Sequence, residues 1–244
     1  MKIDWSTAVP TPADATALAA ALNVVRTQAE YATFIFEADR TVVTARSSDS
    51  VTLVRVSMAK NLLSGPNDSV GIKIDPWLEA LKGLSGPVTI QWLRGMARIG
   101  DGRINTALAL EDPSKDSARV PDLELSAYAM VPADRVLPLV VRTDARNCNC
   151  YRFAIGTDGL TVDATDDRGI GPELTLAPSE LTTVEGSASA TYPWRPWAAM
   201  LKALPRGAEL MVELDDDYPC RVTVESEGMT IVWLAAPMIV EDSL

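Results

Sequence analysis

Apolar residues along this chain alternate between two spacings, and the alternation outlines the fold. The stretch PTPADATALAAALNVVRTQ, residues 10–28, is rich in Ala and Leu behind two prolines and Asp14, a helix-forming composition with a start signal in front of it. The pattern then shortens. ATFIFEADRTVVTARSSDSVTLVRVSM, residues 32–58, holds three β-branched and aromatic runs parted by polar turns, which predicts a meander of strands. After a turn at SGPNDS, the segment DPWLEALKGL, residues 75–84, returns to helical spacing with Trp77, Leu81 and Leu84 on one face. Asp75 is its expected N-cap and Pro76 its first helical residue. Strands are predicted at 87–93, 96–100 and 103–110.

Past residue 110 the periodicity stops. EDPSKDSARVPDLEL, residues 111–125, carries two prolines and seven charges, too little apolar surface to form a core of its own, and reads as a tether. Beyond it the earlier order returns: a helix over VPADRVLPLVVRT, strands between 150 and 177, a helix over YPWRPWAAMLKAL, and strands between 208 and 236.

The two halves also match in letters. WLEALKGL at 77–84 and WAAMLKAL at 197–204 share the pattern W-x-x-x-L-K-x-L at an offset of 120 residues. FIFEADRTVVTA at 34–45 and FAIGTDGLTVDA at 153–164 are offset by 119, and GRINTALAL at 102–110 and GMTIVWLAA at 228–236 by 126, which places a short insertion near LDDDYP. Two matches at nearly one offset mark a tandem duplication. The expected organisation is a domain over 1–112, a connecting loop over 113–124 and a similar domain over 125–244. Each is of the α+β class, built on antiparallel sheet.

Composition narrows the chemistry. With 244 residues and 47% hydrophobic content the chain can fill real cores. No apolar run reaches membrane-spanning length and MKIDWSTAVPTPADA lacks the build of a secretory signal, so a soluble intracellular protein (cytoplasmic or nucleoid-associated) with no membrane partner is expected. There is no histidine, which removes Ser-His and Cys-His nucleophile pairs and histidine metal sites.

Cys148, Cys150 and Cys220 are odd in number and read as reduced thiols, with Cys148 and Cys150 at the start of a strand rather than in a metal site. The carboxylate clusters DATDDRG and ELDDDYP fall in predicted turns, where Asp is favoured by the backbone. Trp77, Trp194, Trp197 and Trp233 sit in or beside apolar patterns and read as core or interface packing. No phosphate-binding glycine loop is present, and no enzyme, metal or cofactor is expected. A net charge of −11 argues against nucleic acid unless the 22 basic residues are clustered where they count.

A duplicated α+β domain with a charged tether at its midpoint resembles the ring-shaped DNA sliding clamps of the proliferating cell nuclear antigen (PCNA) type, most of all the archaeal ones. Five segments carry the resemblance: RSSDSVTLVRVSM at 46–58, RVPDLEL at 119–125, FAIGTDGLTVDATDDRG at 153–169, WAAMLKALPRGAELMVELDDDYP at 197–219 and WLAAPMI at 233–239. It implies a head-to-tail homotrimer closing a ring around duplex DNA, with sheets outside and helices lining the bore. It also implies a non-enzymatic processivity role, tethering DNA polymerase and other replication and repair proteins, with a clamp loader to place the ring. A heterologous contact that closes makes a ring and covers strand edges. Those edges fall near Ile104, Ala107 and Leu110 in one domain and Leu174 and Leu176 in the other.

By the same resemblance the tether walls a groove for a short hydrophobic motif of a partner protein. Val120 and Pro121 match the loop wall, Val51 and Leu53 the floor, Pro219 the neighbouring turn, and Leu234, Ala236, Pro237 and Ile239 the C-terminal segment. The DNA-facing positions are Arg26, Lys82, Arg135, Arg142, Arg146, Arg195, Lys202 and Arg206. This lining is thin: the first helix has no basic residue before Arg26, and Glu79 stands where the resemblance implies lysine. Weak, sequence-independent, salt-sensitive DNA contact is the expectation. The sparse lining also keeps open a clamp paralogue that acts as one member of a heterotrimer or as a protein-interaction subunit without encircling DNA.

Overall fold

The structure, a computed structural model, describes residues 4–66, 68–113, 120–144, 148–166, 168–205, 207–226 and 228–238. The chain divides into two compact units. The first comprises Met1–Ser48, Leu53–Arg119 and Glu227–Thr230; the second comprises Asp49–Thr52, Val120–Ser226 and Ile231–Leu244.

In the first unit the order is β1 (Val9–Asp14), α1 (Ala15–Arg26), β2 (Tyr31–Phe36), β3 (Arg40–Arg46), β4 (Thr52–Ala59), β5 (Ser69–Lys73), α2 (Ile74–Leu81), β6 (Pro87–Leu93), β7 (Met96–Gly100) and β8 (Asn105–Ala109). Strands β1-β6-β7-β8 form one antiparallel sheet, and β4, β3, β2 and β5 lie side by side in another. The second unit runs β9 (Ala127–Pro132), α3 (Ala133–Asp144), β10 (Cys150–Gly156), β11 (Gly159–Thr165), β12 (Glu173–Leu176), a short 3-10 turn at Pro178–Glu180, and β13 (Thr183–Glu185). It continues with β14 (Ala188–Pro193), α4 (Trp194–Ala203), β15 (Glu209–Leu214), β16 (Cys220–Ser226) and β17 (Met229–Ala235). Here β9-β15-β16-β17 repeats β1-β6-β7-β8, and β12-β11-β10-β14 repeats β4-β3-β2-β5, with β13 as an addition beside β9. The insertion expected near LDDDYP is the longer β15–β16 turn, Asp215 to Pro219, against Arg94–Gly95 between β6 and β7.

Each core is built on the repeated letters. Phe34 of β2 meets Trp77 of α2 edge-on, with ring centroids 5.3 Å apart, and Trp77 stacks on Trp92 at 5.8 Å. In the second unit Phe153 of β10 stacks on Trp197 of α4 at 4.2 Å, and Trp197 meets Trp233 edge-on at 4.8 Å. Trp77, Trp197 and Trp233 are fully buried core residues, and Trp194 is half-buried. None of Cys148, Cys150 and Cys220 is in a disulfide; Cys148 and Cys220 are buried and Cys150 half-buried.

Several expected boundaries shift. Asp14 does cap α1, its Oδ1 accepting from the Ala17 backbone N–H at 2.8 Å. Asp75 does not cap α2: Lys73, in extended backbone, holds that place, and Asp75 and Pro76 lie in the first turn, where the missing proline N–H has no helical partner to lose. The helix also stops at Leu81 rather than Leu84, ahead of Gly83 at φ 79°. Among the described residues each of α1 to α4 is preceded, with no intervening residue, by a strand that the sequence pattern does not predict: β1, β5, β9 and β14. β1 carries Pro10 and Pro12 and is tolerated because it is the outer strand of its sheet. Among the described residues no helix is long and apolar enough to cross a membrane.

On β11 and β12, Asp163 stands directly opposite Glu173. Partial burial, and then the charge of Glu173, hold the Asp163 carboxyl above the usual carboxylate range, while Arg152 pulls the other way. A carboxyl raised in the folded chain costs stability once ionised, and that cost vanishes when both folded and unfolded chains are protonated. Asp163→Asn is therefore expected to stabilise by about 0.5 kcal/mol at neutral pH. The gain should fade as pH falls through the carboxylate range, and thermal melts across pH check it; a gain that persists at acid pH would refute this cause.

Candidate partner groove and helix surfaces

Backbone bonds tie the segment that follows β17. The Asp49 carboxylate accepts from the Val51 N–H at 3.1 Å and Ser50 turns through φ 62°, which fixes the loop that carries the Val51 carbonyl. That carbonyl accepts from the Ala236 N–H at 2.8 Å, and two residues on, the Met238 N–H donates to the Thr191 carbonyl at 2.7 Å. Residues 236–238 are thus an extended segment tied at both ends, with Ala236 and Pro237 half-buried and Met238 exposed.

The β15–β16 turn borders this region. The Tyr192 hydroxyl donates to the Tyr218 carbonyl at 2.8 Å, next to half-buried Pro219. Burial pushes the Tyr192 phenol far up and the Cys220 thiol up to about 12, so both stay protonated and inert at neutral pH. The turn is also pinned by its acids: Asp216 accepts from the Ser189 N–H at 2.8 Å and Asp215 from the Ser126 hydroxyl at 2.9 Å. These carboxylates serve the turn, and among the described residues no group of acids or thiols is placed to hold a metal.

The tether is anchored at each end. At its start, Gly71 and Glu111 exchange backbone bonds of 3.2 and 2.8 Å, and a Cβ at Gly71 would meet the Asp112 carbonyl oxygen at 2.4 Å. At its end Leu123 is buried, and its carbonyl accepts from Arg221, whose guanidinium is forked onto Glu213 at 2.5 Å.

Of the expected groove residues, Val51, Val120, Pro121, Pro219, Leu234, Ala236 and Pro237 fall in the second unit, and Leu53 falls in β4 of the first. Val120 is half-buried and Pro121 exposed. Leu234 is corrected: at 6% exposure its side chain backs the core and has little to offer a ligand. Ile239 lies outside the described residues. The letters could not announce the backbone pairing of Ala236 with Val51.

The outward faces of the helices differ between units. In the first, the exposed charges are Arg26, Asp75, Glu79 and Lys82, and they cancel in pairs: Arg26 with Asp75 at 2.7 Å, Lys82 with Glu79 at 2.5 Å. In the second, Asp134, Arg135 and Arg142 are exposed on α3, and Arg195 and Lys202 on α4. Arg146 and Arg206 lie outside the described residues.

Of the expected joint residues, Ala107 lies on β8 and Leu174 and Leu176 on β12, while Ile104 and Leu110 flank β8. β8 and β12 are each the outer strand of a four-stranded sheet. Ile104 is 66% exposed, Ala107 exposed, and Leu110 and Leu174 half-buried. Leu176, at 3%, is spent on its own core, so its side chain is not available to a neighbour.

No protein-family model matches the sequence, and no curated protein sequence matches it. Solved structures match nearly end to end. The PCNA of A. fulgidus, solved with the C-terminal region of FEN-1 bound, aligns with TM-score 0.85 at 19% identity, covering 96% of this chain and 99% of that one. The PCNA of Thermococcus kodakaraensis gives 0.81 at 17%, covering 94% and 99%. A PCNA2-PCNA3 complex from Sulfolobus tokodaii gives 0.79 at 15%, also covering 94% and 99%. The chain has the fold of the PCNA sliding clamps.

Proposed function

We propose that the chain is the subunit of a non-enzymatic sliding clamp, a homotrimeric ring that encircles duplex DNA without sequence preference. In this reading it tethers a polymerase and other replication and repair proteins to the duplex and is placed there by a clamp loader. The observation that carries it is the nearly end-to-end match of the chain's fold to PCNA clamps. Two features support it. β8 and β12 offer two different open edges, the arrangement that joins copies head to tail. The second unit also offers a fixed extended segment, residues 236–238, between Pro219 and the loop at Val51, which suits a peptide with an apolar anchor.

The test is solution mass by light scattering at low and at molar salt. A mass near three times 26.2 kDa is expected; a monomer at both salts would sink the homotrimer. A second reading, membership in a heterotrimer, is favoured by one observation, the cancelled charges on α1 and α2, which leave half of each subunit's helices without a net pull on phosphate. A chain that is monomeric alone and assembles only with a related partner would select it.

A further inference from the structure

Residues 120–125, the end of the tether, have no regular secondary structure, and among the described residues no backbone–backbone hydrogen bond reaches them. Leu123 is buried, and one hydrogen bond among the described residues reaches the stretch, from the Arg221 guanidinium to the Leu123 carbonyl at 3.5 Å. We propose that Arg221 is the positioning residue of the tether wall: forked on Glu213, it fixes where Val120 and Pro121 stand for an incoming peptide. The proposal rests on the reading that the groove takes the motif of a partner protein.

The strands place the fork. Glu213 and Arg221 stand directly opposite each other on β15 and β16. Buried and half-buried residues alternate along β15 and from Cys220 to Val224, so the two side chains share the face turned away from the core. Nε and Nη2 of Arg221 donate to the two carboxylate oxygens, each at 2.5 Å, and this side-on fork locks the guanidinium plane. Nη1 is the nitrogen left over, and the fork aims it at the tether. The hydrogen bonds to Glu213 hold the guanidinium above its ordinary range against the opposing effect of burial, and the charge of Asp122, on the tether itself, adds to the hold. Lysine could keep the charge beside Glu213, but an ammonium is a point charge and has no flat fork to aim a third nitrogen.

The fork belongs to a frame that runs from one side of the groove to the other within the second unit. The β15–β16 turn ties the residue just beyond the tether, Asp215 accepting from the Ser126 hydroxyl, and ties β14, Asp216 accepting from the Ser189 N–H. β14 in turn holds the C-terminal segment, its Thr191 carbonyl accepting from the Met238 N–H. Arg221, two residues past Pro219, is the link from this frame into 120–125. Cutting that link removes no groove side chain. It leaves a stretch without backbone pairing to be ordered by the peptide as it binds, and that ordering is subtracted from the affinity.

The experiment titrates a short synthetic peptide with one Phe anchor into six forms of the full chain. These are wild type, Arg221→Gln, Arg221→Lys, the wall pair Val120→Gly with Pro121→Gly, that pair combined with Arg221→Gln, and Arg40→Gln. Denaturation midpoints are read on the same samples, so that affinities are compared among folded chains. Arg221→Gln should weaken binding by at least about fivefold, the size of ordering a few residues on binding. Arg221→Lys, the variant that best preserves the fold, should weaken it nearly as much although the charge is kept. With the wall pair already replaced, Arg221→Gln should weaken binding little further, because it acts through the wall. Arg40→Gln breaks an ion pair of the first unit and should leave affinity as it was. Arg221→Lys binding as tightly as wild type would overturn the proposal, since charge alone would then suffice. So would an Arg221→Gln loss that is the same with and without the wall, or an equal loss in Arg40→Gln. A wild type that does not bind the peptide overturns the groove reading itself, and the proposal with it, a result distinct from the others.

Discussion

Replacing Trp197 by alanine is expected to cost about 3 to 5 kcal/mol, read as a fall in the denaturation midpoint. The indole is fully buried, stacked on Phe153 at 4.2 Å and met edge-on by Trp233 at 4.8 Å, so removal empties the centre of the second core. Its Nε1–H has no hydrogen-bond partner among the described residues, so nothing polar is lost with the ring. That separates the packing from the N–H group: Trp197→Phe keeps an aromatic disc, removes the unpartnered donor, and should cost less than half as much. Trp77→Ala should resemble Trp197→Ala in size, because Trp77 plays the same part against Phe34 and Trp92. A loss below about 1 kcal/mol for Trp197→Ala would mean that the repeated W-x-x-x-L-K-x-L letters do not mark the centre of each core.

Ala236→Pro is expected to weaken binding of a short peptide with a hydrophobic anchor by at least about tenfold, or roughly 1.4 kcal/mol, in a direct titration. Proline has no N–H to give the Val51 carbonyl, now served at 2.8 Å, so the segment 236–238 loses one of its two ties. The fold itself should lose only about 1 kcal/mol, the worth of one hydrogen bond near the surface. Ala236→Gly keeps the donor and should bind nearly as wild type. If Ala236→Pro binds the peptide as well as wild type does, the extended segment is not part of the recognition surface.

The repeat was the most legible part of this molecule. Phe34 with Phe153 and Trp77 with Trp197 were paired by offset alone and occupy matching places in the two cores. Helix existence was also legible, because Ala and Leu at helical spacing behind Asp14 have few other uses. The strands leading into the helices were not. VPTPAD reads as a turn because proline is costly in most strands, and only its place at a sheet edge makes it one. AYAMVP and ASATYP are short, rich in alanine and closed by proline, so their pairing comes from neighbours far away in sequence. The same limit applied to the groove: family likeness named Val51 and Ala236, but their bond is between backbones and leaves no trace in residue type.

The direct succession of strand and helix at all four junctions has a consequence for how such a chain can change. With no loop between β9 and α3, or between β14 and α4, the last strand residue fixes the angular phase of the helix. One added residue would turn the helix by about 100° and carry Leu139 or Trp197 out of the interior. At these points an inserted residue is therefore expected to cost more than a substituted one. A chain policed by spacing in this way is free to replace most of its surface letters, and to exchange its lysines for acids, while its helices remain aimed as before.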